Sequence, residues 1–204
     1  MSLSIDRASE PGAGRTHPGS TTARSALPTA SSRVARWWAP PSLSGWRKMD
    51  GVDAEPLLAR ICAALEDVQL EAVLIGNAAA ALQGAPVTTL DFDFFFRDTP
   101  ANRKKLVKLA KQLGAIVLRP YYPASSLFRV TDDTLTLQAD FLGVIHGLRS
   151  FEGVRKRATT IELRGHPLWV ASLEDVVKSK KAANRPKDRA VLPILEAVID
   201  AKKR

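Results

Sequence analysis

The sequence predicts an α+β (α/β) domain, in which helices flank a mixed β-sheet and two further helices close the C-terminal end. Short apolar or alternating runs, typical of strands, lie between longer segments with helical periodicity. Hydrophobic residues make up 45% of the 204 residues and charged residues 25%, which are ordinary globular values. The length of residues 51–204 suits one domain.

Residues 1–50 differ in composition from the rest of the chain. They are rich in Ser, Ala, Pro, Gly and Arg, and hold seven basic residues against two acids before Met49. We expect a disordered basic extension, because such a segment buries too little apolar surface to order itself. A transit peptide has a similar composition, and Trp37, Trp38 and Trp46 are candidates for docking. We favour a simpler interpretation, in which translation begins at Met49.

The predicted elements follow one another along residues 51–204. Helices are predicted where apolar residues recur at helical spacing or where capping residues bound a segment: 53–69, capped by Asp53, 77–83, 99–113, 151–157, 172–183 and 187–201. Strands are predicted from apolar or alternating runs: 73–75, 91–96, 116–118, 126–130, 134–142, 159–163 and 168–170. Asp132 and Asp133 are expected to turn a hairpin between two of these strands.

Two aspartates alternate at the start of the strand predicted at 91–96. Asp91 and Asp93 share one strand face about 6–7 Å apart, where their repulsion favours a bound cation. Mg²⁺ takes carboxylate ligands of this kind together with substrate phosphates. Two exposed acids on an edge strand are the alternative. The apolar residues 94–96 favour the metal site, because they indicate a strand buried on both faces, where unpaired acids are costly.

A glycine and an asparagine connect the preceding strand to a helix. Gly76 permits a close backbone approach, and Asn77 is a good N-cap residue that has an amide to offer a phosphate oxygen. The N-terminal end of a helix suits phosphate, although an ordinary strand-to-helix turn is the alternative. Asp140 lies near the end of a later predicted strand, and either a salt bridge or a cap would also explain it. With Asp91 and Asp93, it would complete a two-metal arrangement.

These motifs together resemble the nucleotidyltransferase superfamily with the DNA polymerase β fold. The resemblance covers roughly residues 53–200 and is closest to the small bacterial group of minimal nucleotidyltransferases and AbiEii-type toxins. Residues 172–188 are similar to the closing helices of that group. The resemblance implies that Gly76 and Asn77 bind the triphosphate, although the family usually has Gly or Ser where Asn77 stands. It also implies that Asp91, Asp93 and Asp140 hold two Mg²⁺ ions and that C-terminal basic residues neutralise phosphates: Lys178, Lys181, Arg185 and Lys187.

The predicted function is Mg²⁺-dependent transfer of an NMP group from an NTP to a hydroxyl of RNA, protein or a small molecule. A toxin–antitoxin or phage-defence setting with a cognate antitoxin is the expected context. The alternatives are a non-catalytic interaction module with this fold and an RNA-binding protein. The second rests on nine basic residues against three acids from Lys178 onwards, although a solvated helix surface explains this charge equally well.

Composition excludes several other classes of protein. No apolar run approaches the roughly 20 residues that span a bilayer. The single cysteine, Cys62, excludes an internal disulfide and favours a reducing compartment, so a cytoplasmic location is expected. His17, His146 and His166 lack zinc-ligand spacing.

Overall fold

The computed structural model describes residues 54–89, 91–119, 126–134 and 136–204. Its helices are α1 (Ala54–Asp67), α2 (Gly76–Leu82), α3 (Pro100–Gln112), α4 (Phe151–Arg157), α5 (Leu173–Ala183) and α6 (Pro186–Lys203). Its strands are β1 (Ala72–Ile75), β2 (Phe92–Phe96), β3 (Ile116–Leu118), β4 (Leu127–Thr131), β5 (Gln138–Leu142), β6 (Thr159–Leu163) and β7 (His166–Val170). The predictions for residues 1–50 and for Asp53 as a helix cap lie outside these ranges.

The seven strands form one mixed sheet in the order β3-β4-β5-β2-β1-β7-β6. The pairs β1–β7 and β2–β5 are parallel, and the other four pairs are antiparallel. This arrangement confirms the predicted class of a mixed sheet with flanking helices. β1, β2 and β5, whose residues are mostly buried, occupy the centre of the sheet.

Aromatic residues pack one face of the central strands. Phe94 stacks on Phe141 with ring centroids 5.0 Å apart, and Phe96 meets Phe128 and Phe141 edge to face. The opposite face of β2 carries Phe95, which packs edge to face on Phe151 of α4. β2 is therefore buried on both faces, as residues 94–96 predict.

Local sequence signals explain where several elements begin and end. Thr99 accepts a hydrogen bond from the Asn102 N–H at the start of α3, where Pro100 is the first helical residue. Ser150 and Ser172 cap α4 and α5 in the same way. The β6–β7 hairpin turns through Arg164 and Gly165, both with positive φ.

Two local predictions are wrong. Asn77 does not cap α2, because the helix begins at Gly76 and the cap position belongs to Ile75. The strand predicted from residue 134 begins only at Gln138. The carboxylate of Asp132 accepts hydrogen bonds from the hydroxyls of Thr134 and Thr136, which holds this segment in a turn instead of extending the strand.

None of the helices in the described ranges combines the length and the apolar character needed to cross a membrane.

Candidate metal and phosphate site

Three carboxylates converge where β2 and β5 begin to pair. Asp93 and Asp140 are direct partners in the parallel register of these strands, and Asp91 immediately precedes β2. One oxygen from each of the three carboxylates lies within 4.8 Å of the other two. Asp140 is buried, whereas Asp91 and Asp93 are partly buried. The structure thus brings together all three acids that the sequence suggests.

Gly76 lies directly against this cluster. Its φ of +70° is unfavourable for other residues, and a Cβ at this position would come within 2.6 Å of Asp93 Oδ2. Ile75, the preceding residue, is the antiparallel partner of Asp93 across β1 and β2. The backbone of the β1–α2 turn therefore approaches the Asp93 carboxylate closely, and a side chain at residue 76 would clash with it.

The surroundings of Asp93 disfavour its charged form. Burial, followed by repulsion from Asp91 and Asp140, raises the pKa of Asp93 to about 7, against the opposing charges of Lys180 and Lys187. A divalent cation would remove this repulsion. All three ligands are carboxylate oxygens, which are hard donors that bind Mg²⁺ and Mn²⁺. Zinc and copper sites seldom consist of oxygen ligands alone.

Arg129 of β4 holds the third carboxylate. Arg129 and Asp140 are direct cross-strand partners, and Nε and Nη2 of Arg129 each donate to one oxygen of Asp140 at 2.7 Å. These hydrogen bonds, together with the charges of Asp140, Asp91 and Asp93, raise the pKa of the Arg129 guanidinium although partial burial opposes the rise.

Positive charge reaches the cluster from the junction of α5 and α6. Lys180 and Lys187 act on the charge of Asp93, and Asp93 in turn contributes to the raised pKa of Arg185 after the effects of Asp188. Asp188 is fully buried and binds Lys180 Nζ at 3.4 Å and Arg185 Nε at 2.6 Å. This buried carboxylate therefore fixes two of the three basic side chains.

The remaining basic candidates lie elsewhere on α5. Lys181 pairs with Glu196 of α6 at 2.7 Å, and both side chains are exposed. Lys178 is exposed, and because it lies two residues before Lys180 it occupies a different side of the helix. Asn77 donates its amide to the Thr88 carbonyl at 3.0 Å, while its Oδ1 is buried with no partner among the described residues.

Sequence reasoning missed Arg129, Lys180 and Asp188. A signal for Arg129 exists, since opposite charges favour directly paired positions on adjacent strands. Because the connection between β4 and β5 is longer than a tight hairpin turn, the sequence does not predict which residues of the two strands pair. The spacing of Lys180 and Asp188 spans a helix junction, and only the angle between α5 and α6 brings them together.

The fold is similar to that of solved nucleotidyltransferases. No protein-family model matches the chain, and no curated protein matches it by sequence. Among solved structures it is similar to ANT(2'')-Ia in complex with adenylyl-2''-tobramycin, with 17% identity over 74% of this chain and 92% of that chain and a TM-score of 0.53. The solution structure of the antibiotic-resistance factor ANT(2'')-Ia gives the same identity and TM-score.

A second similar protein is the lincosamide antibiotic adenylyltransferase LnuA, bound to lincomycin. It shares 12% identity over 71% of this chain and 97% of that chain, with a TM-score of 0.52. At these identities the comparisons establish the fold. They confirm the predicted fold class, a nucleotidyltransferase-like mixed sheet with flanking helices.

Proposed function

We propose that the protein is a metal-dependent nucleotidyltransferase that moves an NMP group from an NTP to a hydroxyl acceptor. The observation that carries the proposal is the convergence of three carboxylate oxygens within 4.8 Å, on the nucleotidyltransferase fold and beside Gly76.

Asp91, Asp93 and Asp140 are the residues that would hold a divalent ion, and their oxygen ligands fit Mg²⁺. When bound, such an ion neutralises phosphate charge and lowers the pKa of an acceptor hydroxyl. Gly76 lets the backbone of the β1–α2 turn lie against the same carboxylates, where a bound phosphate would contact it. Asn77 has a buried oxygen with no partner in the part of the chain that the structure describes, so this residue is a further candidate for contact with the nucleotide.

The basic residues at the α5–α6 junction supply the charge that a triphosphate requires. Lys180, Arg185 and Lys187 act electrostatically on Asp93 and would stabilise the pyrophosphate leaving group. Lys178 and Lys181 remain weaker candidates, because the lysine charges that act on Asp93 are those of Lys180 and Lys187. Of the carboxylates, we assign Asp140 to the proton of the acceptor hydroxyl, because Arg129 fixes its orientation.

The acceptor is the least defined part of the proposal. ANT(2'')-Ia and LnuA are described with tobramycin and lincomycin, which makes small hydroxyl compounds the first class to test. RNA and protein hydroxyls remain in the proposal from the sequence resemblance. The AbiEii-type, toxin–antitoxin and cytoplasmic assignments belong to the same proposal and rest on sequence features alone.

The test is an incubation of the protein with Mg²⁺ and each of the four NTPs labelled at the α-phosphate. Total RNA, protein, aminoglycosides and lincosamides serve as acceptors. We expect label in one acceptor class, and Asp91→Asn should reduce the rate roughly 100-fold or more. Asp98→Asn is the matched control, because Asp98 pairs with Arg103 on α3 and contacts none of the three acids.

A non-catalytic module with the same fold gives a different result. It would show no transfer with any NTP and no nucleotide binding by calorimetry in the presence of Mg²⁺. Equal transfer by the wild type and Asp91→Asn would also reject the proposed site. Binding of RNA that falls steeply with salt and ignores the three acids would support the RNA-binding alternative.

A further inference from the structure

Arg129 already neutralises part of the acidic cluster. Its planar guanidinium meets both oxygens of Asp140 with two hydrogen bonds of 2.7 Å, the geometry of a strong bidentate pair. The pairing is built into the sheet, since the two residues face each other across β4 and β5. Asp140 is buried, so this partner is its permanent neighbour and not a chance surface contact.

The charges near the cluster then balance a single divalent ion. Asp91, Asp93 and Asp140 carry three negative charges when ionised, and Arg129 supplies one positive charge. The two negative charges that remain equal the charge of one divalent cation. Lys180 and Lys187 add positive charge from the α5–α6 junction, which further opposes a second ion. Each oxygen of Asp140 also accepts a hydrogen bond from Arg129, so one lone pair on each oxygen is not free for a metal ion.

From this geometry we propose that Arg129 takes the place of the second metal ion, so that the site works with one divalent cation instead of two. The inference rests on the proposed function and departs from the sequence expectation of a two-ion site, which stays untested. Arg129 is a positioning residue for Asp140 in this arrangement. Its fixed positive charge neutralises the carboxylate of Asp140, as a second cation would.

The test uses Mn²⁺ as the probe, with electron paramagnetic resonance of the full chain. Mn²⁺ is added alone and together with α,β-methylene-ATP, which cannot be cleaved at the reacting bond. Two ions about 3.5–4 Å apart give an exchange-coupled spectrum, whereas one ion gives an isolated six-line spectrum. We expect the isolated spectrum from the wild type, and a coupled pair from Arg129→Gln with the nucleotide analogue.

Arg157→Gln is the matched control. Arg157 also makes a bidentate pair with a buried aspartate, Asp175, at 3.0 and 2.8 Å, and neither residue belongs to the three-acid cluster. This variant should keep the wild-type spectrum. Circular dichroism establishes that both variants are folded. If Arg129→Gln does not fold, the wild-type spectrum still decides.

Two results overturn the inference and leave the proposed function standing: a coupled pair in the wild type, or a single ion in folded Arg129→Gln. Failure of the wild type to bind any Mn²⁺, with or without the analogue, overturns the metal-dependent function itself and this inference with it. The two failures are therefore distinguishable in one set of spectra.

Discussion

Gly76 lets the backbone of the β1–α2 turn lie against the carboxylate of Asp93 without a clash. We expect Gly76→Ala to abolish Mg²⁺-dependent transfer and Mn²⁺ binding, because the new Cβ would lie 2.6 Å from Asp93 Oδ2. The positive φ adds a stability cost of about 1 kcal/mol. Calorimetric titration with Mn²⁺ and a urea melt measure the two effects separately.

Gly114→Ala is the control for backbone strain. Gly114 has a φ of +68°, nearly that of Gly76, but a Cβ there meets nothing within 4 Å. This variant should lose about the same stability and retain metal binding. Equal metal affinity of Gly76→Ala and the wild type would show that the close approach does not matter for the site.

The raised pKa of Asp93 links stability to pH in the metal-free protein. The folded-state pKa is about 7, against roughly 3.9 in the unfolded chain. Between these values the folded state holds a proton that the unfolded state has lost, so this group costs stability progressively as pH rises through that window.

Asp93→Asn should therefore melt a few degrees above the wild type at about pH 8 without metal, and the difference should shrink towards about pH 5. Differential scanning calorimetry at both pH values measures it. Saturating Mg²⁺ should raise the melting temperature of the wild type and not of the variant. A melting-temperature difference that grows as pH falls would contradict the assigned cause.

At the scale of elements, the junction of α5 and α6 depends on a buried ion cluster. Asp188 is fully buried at the start of α6, and accepts from Lys180, from the Arg185 guanidinium and from the Arg185 N–H. Asp188→Ala should lower the free energy of unfolding by about 3–5 kcal/mol, because it leaves Lys180 buried without its counter-charge. Urea denaturation measures the loss.

The exposed pair Lys181–Glu196 joins the same two helices and provides the comparison. Glu196→Gln should cost less than about 1 kcal/mol, since surface ion pairs contribute little. A similar small loss for Asp188→Ala would mean that the cluster does not hold the junction together.

Elements with strong local signals were predictable from the sequence. The helix predicted at 99–113 corresponds to α3, which begins at Pro100 after the Thr99 cap, and the apolar runs locate β1 and β2. The start of β5 was not predictable in the same way. The alternation at residues 134–137 is a strand signal, but the hydroxyls of Thr134 and Thr136 donate hydrogen bonds to the Asp132 carboxylate. Side-chain competition for hydrogen bonds overrode the periodicity there.

At the scale of the whole molecule, the sequence predicts where the strands and helices lie better than it predicts which of them become neighbours. Alternation placed Asp91 and Asp93 on one face, but the partnership of Asp93 with Asp140 depends on β5 pairing with β2, and a sequence pattern does not fix strand order. Arg129 and Lys180 enter the site through the same non-local pairings and through helix docking. Their roles, like those of the three acids, remain predictions.

The strict registration of β2 between β1 and β5 limits how this protein can diverge. Inserting or deleting one residue in Phe92–Phe96 would exchange the two sides of the strand and drive carboxylates among the rings of Phe128 and Phe141. A change of chain length that keeps Asp93 on the face of Gly76 and Asp140 is therefore expected to be tolerated in the connections between strands and not within β2.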